Sequence, residues 1–392
     1  MTIDASWAAE VSMLLWGLQN AVSTFAVLAY RHGLPRPEIP GTEPRVAVIL
    51  PVKGDEGLGR FLGLLRSQRY ARYRIIASIE SEQDPALSLL VAAQHQKGAS
   101  VEIVIAGLAR NCGQKVWNQL AALERLTADD EIVAFIDADT LPTPLWLPRL
   151  VAAIVDAGRP VVTGYRWMAP ADDRWSSSCL AAANASIATL PRGFKSHLCW
   201  GGSVAIRRST LEAIELKRRW IGAISDDLQL SAALRGAGIH AGAPRQGLLL
   251  TPVSVSWAGF FAFGVRQYRL VWIHQPASWA VAMACLWAPL AFLILSAPGL
   301  LSGSPGLWAA LAIVFILGDV RARLRRQIQS ALWPEIGGAM DQRRWRVDRF
   351  ARPIWWLAHA LCAAAAPMSR TVDWAGIRYR VKGPQNVAVE RL

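Results

Sequence analysis

Cysteine is scarce and scattered: five residues, Cys112, Cys179, Cys199, Cys285 and Cys362, are spread over 392 positions. Their odd number and lack of metal-ligand spacing exclude a disulfide framework and a cysteine zinc site. The thiols read as small buried side chains in a reducing compartment. Acid is also in deficit, with 29 Asp and Glu against 42 Lys and Arg, for a net charge of +13. Such a chain suits nucleic acid, an anionic lipid surface or a phosphate-bearing substrate. No DNA- or RNA-binding motif accompanies the charge, so nucleic acid is not expected as a partner. Internal repeats and low-complexity tracts are lacking too. No Lys or Arg precedes the first apolar run, where Asp4 and Glu10 stand instead, so a cleaved signal peptide is not expected.

What the sequence does have is apolar mass. Hydrophobic residues make up 53% of the chain and Trp occurs 18 times, which suggests a soluble domain joined to lipid-embedded segments. Residues 11–30 form an apolar run of spanning length despite Gln19 and Asn20. Arg31, His32 and Arg36 follow, an asymmetry that puts the N-terminus outside and the next domain in the cytoplasm. Pro35, Pro37, Pro40 and Pro44 make an extended linker. A second region crosses at 277–297 and returns at 306–320. The arginines of 321–352 (Arg321, Arg323, Arg325, Arg326, Arg343, Arg344, Arg346, Arg349 and Arg352) then suit anionic headgroups. The apolar stretch 353–367 is about 15 residues against the ~20 needed to span, and reads as interfacial or re-entrant.

Between the apolar regions the pattern is α/β. VAVILPV from Val46, RIIASIE from Arg74, VEIVIAG from Val101 and EIVAFIDAD from Glu131 are short apolar strands, with helical stretches such as KVWNQLAALERL between them. This alternation predicts βαβ units and a mostly parallel sheet covered on both faces. Ligands of such sheets bind beyond the carboxyl ends of the strands.

The polar residues at those ends carry the chemistry. Asp137 and Asp139 follow the strand IVAFI, where a turn can bring one carboxylate to a sugar or ribose and the other to a divalent cation such as Mg²⁺ or Mn²⁺. Strand-end Asp also serves turns and caps. Asp226 and Asp227 open a helix, either as cap and dipole partners or with Asp227 as a general base and Asp226 structural. Glu80 suits a base or ribose, and Lys115, with Gln114 and Asn118, suits phosphate or sugar oxygens. Each has an exposed-loop or helix-start reading beside it. Trp200-Gly201-Gly202 permits close backbone approach by an acceptor or sugar, or a simple turn. Arg266 and Arg269 share a helical face, placed to clamp a diphosphate or to snorkel to headgroups.

Taken in order, these elements resemble glycosyltransferase family 2, and more closely its ceramide glucosyltransferase-like branch. The matching pieces are Pro51-Val52-Lys53-Gly54, Asp84-Pro85-Ala86, Lys115 with Asn118, Asp137/Asp139, Gly201-Gly202, Asp226-Asp227 and the closing Asp373-Trp374-Ala375-Gly376-Ile377-Arg378-Tyr379-Arg380. The resemblance covers most of the chain. It implies an inverting enzyme with a GT-A (Rossmann-like) fold and a divalent metal. Glu80 would then lie in the nucleotide pocket, Asp137 near the donor, Asp139 on the metal and Asp227 as base. Arg266 and Arg269 would stand where the family's (Q/R)xxRW motif helps hold the leaving diphosphate. The chain departs from that pattern at Glu80-Ser81-Glu82, where an Asp cluster is usual, at Leu270, where Trp is usual, and at Asp226, where Glu is usual.

The expected organisation is an anchor and linker over 1–44, a catalytic domain over 45–256 and an interfacial segment over 257–276. A transmembrane hairpin over 277–319 and a basic cytoplasmic region over 320–392 complete it. The expected activity is transfer of a sugar from a nucleotide sugar, UDP-linked, to a membrane lipid at the cytoplasmic face of a bacterial inner membrane. A polysaccharide synthase and a non-catalytic nucleotide-binding membrane scaffold stand as alternatives.

Overall fold

The computed structural model describes residues 5–34, 40–190, 197–335 and 339–391. Asp4, Pro35, Arg36 and Pro37, used above for orientation and linker, lie outside them. The long helix α1 (Ala5–His32) leads into an α/β domain. Its elements run β1 (Val46–Pro51), α2 (Leu58–Arg66), β2 (Tyr73–Ile79), α3 (Ala86–Gln94), β3 (Val101–Ile105), α4 (Gln114–Leu123), β4 (Ile132–Ile136) and α5 (Trp146–Val155). Then come β5 (Val161–Thr163), β6 (Tyr165–Pro170), α6 (Trp175–Ala188), β7 (Ser203–Arg207), α7 (Arg208–Ala213), α8 (Leu216–Trp220), α9 (Asp226–Gly236) and β8 (Leu248–Val253).

Six strands form one sheet in the order β3-β2-β1-β4-β7-β5. The first four are parallel, and β7 runs antiparallel to both its neighbours. A mostly parallel α/β sheet is thus present as expected. Both faces are covered, which explains the unbroken apolar runs. Along β1, Val46, Val48 and Leu50 pack with α2, α3 and α5, while Ala47 and Ile49 pack with α4, α8 and α9. Strand order reverses at β1, leaving a crevice beyond the carboxyl ends of β1 and β4. Strands β6 and β8 pair separately, in parallel.

The chain continues into α10 (Trp257–His274), α11 (Pro276–Leu301), α12 (Pro305–Leu332), α13 (Ala339–Phe350) and α14 (Arg352–Ala365). By length and composition, Trp7–His32 and Pro276–Leu301 can cross a membrane. They pack together and on α12. The polar residues inside the first run are satisfied between helices: Gln19 donates to the Cys285 carbonyl at 3.1 Å, and Arg321 donates to Asn20 Oδ1 at 2.6 Å. Four cysteines are buried as expected, but Cys285 is exposed on α11.

Two expectations for the C-terminal third change. The arginines of 321–352 do not all face outward: Arg325 and Arg344 are buried, and Arg325 Nη2 lies 2.6 Å from Asp348 Oδ1. A lone buried guanidinium is costly, so the Arg-rich pattern here partly encodes helix packing. The second change concerns residues 371–391, which form an antiparallel sheet of β9 (Thr371–Trp374), β10 (Ile377–Gly383) and β11 (Asn386–Arg391) rather than a simple tail. Ile377, Tyr379 and Val381 alternate inward and pack with Ile224 and Leu270. Gln229 donates to the Pro384 carbonyl at 2.6 Å and Gln385 to the Arg219 carbonyl at 2.9 Å, which fixes the sheet to the α/β domain. Helix α14 packs its Trp355, Ala358 and Cys362 against α6 and α10 and delivers the chain back to that domain.

Gly222 sits where this sheet docks, with φ +78° and room for no side chain, since an added Cβ would come 2.3 Å from the Gln385 carbonyl oxygen. Gly222→Ala should therefore cost about 1 kcal/mol or more and loosen residues 371–391. Limited proteolysis with mass spectrometry should show faster cleavage there; an unchanged digest would refute the docking role.

Candidate active site

Lys115 stands in the first turn of α4, which starts after Gly113. An added Cβ at Gly113 would meet the Ile224 carbonyl oxygen at 2.9 Å, so this glycine lets α4 approach the segment before α9. Lys115 Nζ lies 2.7 Å from Asp137 Oδ1 and 3.1 Å from Asp226 Oδ2. One ammonium therefore joins the end of β4 to the start of α9. Burial works against the Lys115 charge, but Asp137 and Asp226 outweigh it and hold its pKa above the usual lysine value. For Asp226, burial works to protonate it, yet Lys115 and a Gln119 hydrogen bond of 3.0 Å hold its pKa below the usual carboxylate value.

The neighbouring acids behave differently. Asp227 is half-buried, and burial and the Asp226 charge raise its pKa. Its Oδ1 accepts from Ser225 Oγ at 2.5 Å and Leu228 N–H at 2.8 Å. Its Oδ2 receives a long hydrogen bond of 3.4 Å from Gly201 N–H, which leaves acceptor capacity there. Asp139 stays exposed to solvent, but the protein crowded around it and the Asp137 charge raise its pKa, with Arg166 and Lys115 opposing. Two kinds of carboxylate thus share one rim: Asp137 and Asp226 locked on a lysine, Asp139 and Asp227 raised and open.

Among the described residues no three His, Cys, Asp or Glu side chains form a ready metal cage. A divalent ion held by one or two carboxylates, with phosphate oxygens and water completing its shell, does fit Asp139 with Asp137 beside it.

The glycine pair serves this cluster from within. An added Cβ at Gly201 would come 2.2 Å from Asp226 Oδ2, and one at Gly202 would come 2.2 Å from the Trp200 ring. The space is filled by the chain's own acid and indole rather than left open. Trp200 is largely buried, edge-on to Tyr165 at 5.7 Å. Gln114 and Asn118 are committed to structure: Asn118 donates to the Ser78 carbonyl at 3.2 Å and Gln114 to Asn118 Oδ1 at 2.8 Å.

Glu80 lies at the end of β2, paired with Lys53 at 3.3 Å and 3.7 Å from Arg391 of β11. Arg391 also donates to Gln114 Oε1 at 2.7 Å, and Tyr379 Oη accepts from Gln114 N–H at 3.2 Å. The C-terminal sheet thus borders the Glu80 end of the crevice, which sequence reasoning missed. The available signal was the alternation Ile377-Arg378-Tyr379-Arg380-Val381, obscured by its charge.

Arg266 and Arg269 divide. Arg266 feels the Asp139 charge, while burial and Arg166 lower its pKa to about 10. Arg269 instead donates to the Ala366 carbonyl at 3.1 Å and to the Thr371 carbonyl, holding the start of the C-terminal sheet. Leu270 is buried in that sheet's core, and the indole beside Arg266 is Trp374 of β9, 5.2 Å away.

An α/β sheet with an acid-lysine cluster at its switch point and cations beside it defines a ligand-binding domain with its site where such sheets place it. The chain belongs to glycosyl transferase family 21, whose family model matches residues 11–387. It is therefore a glycosyltransferase, and the family 2 resemblance was the coarser assignment. No curated protein matches the sequence. Among solved structures, mannosyltransferase PcManGT from Pyrobaculum calidifontis in complex with GDP-Man and Mn²⁺ is similar at 15% identity. It covers 92% of this chain and 98% of its own, with TM-score 0.49. S. aureus TarS 1-349 is similar at 12% identity, with 89% and 99% covered and TM-score 0.37. Glucosyl-3-phosphoglycerate synthase from Mycobacterium tuberculosis, in complex with phosphoglyceric acid, is similar at 18% identity, with 54% and 71% covered and TM-score 0.34.

Removing the shared ammonium tests the cluster. Lys115→Met should destabilise the protein by about 2–4 kcal/mol, because the buried Asp226 and the half-buried Asp137 lose their counter-charge. A second change, Asp226→Asn, should recover part of that loss in thermal melts. Failure of the double variant to recover anything would mean that Lys115 acts through packing alone.

Proposed function

We propose that the protein is an inverting, membrane-bound enzyme that moves a hexose from a UDP-sugar to a hydroxyl of a membrane lipid. The observation that carries the reading is the spare acceptor capacity of Asp227 Oδ2, which takes only one long hydrogen bond, beside the Lys115-bridged cluster. Asp227 takes the proton of the acceptor hydroxyl as its oxygen bonds to the anomeric carbon. The bond from that carbon to the diphosphate oxygen breaks on the opposite face, and the nucleoside diphosphate leaves with the electron pair. Lys115 offsets part of the charge of Asp137 and Asp226 and so lessens their repulsion of the incoming diphosphate. Arg266 faces the departing charge. Glu80, with Lys53 and Arg391, borders the nucleoside end, and Arg269 acts by positioning the C-terminal sheet. A divalent cation at Asp139, when bound, would neutralise charge on the diphosphate.

The lipid acceptor is supported by the exposed apolar surface of the long C-terminal helices. Val281, Ile294, Leu295 and Leu301 of α11 and Ile313, Phe315 and Ile316 of α12 are exposed, apolar surface suited to a bilayer. α10 leads from that region to Arg266, which would hold the crevice at headgroup level. Arg31 in the last turn of α1 and the arginines along α12 support a cytoplasmic catalytic domain.

Asp227→Asn should lower kcat by about 10²–10⁴-fold, measured with the protein in lipid and a panel of nucleotide sugars. Because Asp227 works ionised and its pKa is raised, the rate should fall as pH drops through a value above the ordinary ~3.9 of aspartate. An acid limb at or below that value would exclude Asp227 as the base. Mass spectrometry of lipids from a deletion strain should reveal a missing glycolipid; an unchanged lipid profile would count against the acceptor class.

A further inference from the structure

Arg166 belongs to none of the motifs used so far. It lies on β6, whose next residue, Trp167, is packed into the core with Ile328 and Trp333. The Arg166 guanidinium carbon is 4.9 Å from the Trp200 ring centroid and 5.5 Å from that of Phe263. On the same Phe263 ring, one helical turn away on α10, lies Arg266 at 5.5 Å, and Arg266 in turn lies over Trp374. The order Trp200, Arg166, Phe263, Arg266, Trp374 is thus a ladder of alternating rings and cations. It joins β6, the segment before β7, α10 and β9.

The other cations of the crevice are committed: Lys53 to Glu80, Lys115 to Asp137 and Asp226, Arg391 to Glu80 and Gln114, and Arg269 to two carbonyls. Arg166 and Arg266 differ. Among the described residues neither has a hydrogen bond or a carboxylate within ion-pair distance. They repel each other, and the acid that both feel is the single Asp139. A cation bound at Asp139 would increase the positive excess further. Ring stacking steadies a guanidinium while leaving its N–H edge free, and two such edges match the oxygens of a phosphate. A neutral hydroxyl would not offset two like charges held on one ring.

We propose that Arg166 and Arg266 form one phosphate-binding site, with Phe263 between them and Trp200 and Trp374 at its ends, and that Arg166 is a substrate-binding residue. The phosphate comes from the nucleoside diphosphate or from the head of an anionic lipid acceptor. The inference rests on the placement of the donor at Asp139, and Trp374 gives the C-terminal sheet a direct part in it.

The test compares the full-length wild type with Arg166→Gln, Arg166→Lys and Arg166→Gln/Arg266→Gln in phosphatidylcholine nanodiscs. Binding of UDP with Mg²⁺, inorganic pyrophosphate, uridine and short-chain phosphatidic acid is measured, with thermal melts as the folding control. Losing charge-assisted hydrogen bonds should weaken an anionic probe by about 10- to 100-fold in Arg166→Gln, while Arg166→Lys keeps part of the affinity and uridine is unaffected. Weakening of UDP and pyrophosphate assigns the donor as the source, and weakening of phosphatidic acid alone assigns the lipid. Unchanged affinity for every anionic probe in the folded double variant overturns the proposal. Asp139→Ala is run in parallel: unchanged UDP binding there would sink the donor placement, while the pyrophosphate arm still reports on the arginine pair.

Discussion

The ammonium of Lys115 is the contact on which the site's arrangement rests. Asp137 ends a central strand and Asp226 starts a helix almost ninety residues later, and both are acids in a poorly solvated crevice. Without a shared cation each would move toward protonation or push the other away. With it, the carboxyl end of β4 and the amino end of α9 become one surface. Gly113 and Gly201 are small where this surface is tightest, so the lysine and the acids can close to ion-pair distance. Asp139 and Asp227 flank the locked pair, their pKa values raised by burial and by the neighbouring acids.

The C-terminal sheet completes the crevice from outside the α/β domain. Its core accepts Leu270, its backbone is held by Arg269, and it presents Trp374 to Arg266 and Arg391 to Glu80. A segment that looks separate in sequence therefore reaches both ends of the site. Helix α14 makes this possible by turning back against α6 and α10. The long apolar helices leave most of their side chains exposed.

Much of the α/β domain was legible in the sequence because a buried parallel strand leaves a local mark: a short continuous apolar run followed by polar residues. The runs at Val46, Arg74, Val101 and Glu131 carried that mark, and the acids at their ends pointed to the crevice. Arg325 and Arg344 were not legible as buried, since a basic run has the same appearance whether it faces headgroups or an acid such as Asp348. Gln114 and Asn118 read as ligand groups because their type and position allow it; only the carbonyls across from them show that their hydrogen bonds are spent. Arg166 left no mark at all, being one basic residue in an ordinary strand.

By itself the sequence determined the alternation of strands and helices, the apolar stretches and the chemical identity of the strand-end groups, because each depends on neighbours a few positions away. Tertiary structure alone decided which charges meet. The placing of Arg266 over Phe263 and Trp374 while Arg269 holds two carbonyls, the docking of residues 371–391 on α4, and the ladder from Trp200 to Trp374 all depend on contacts across long sequence separations. Such contacts are set by how the elements pack, and no local periodicity records them.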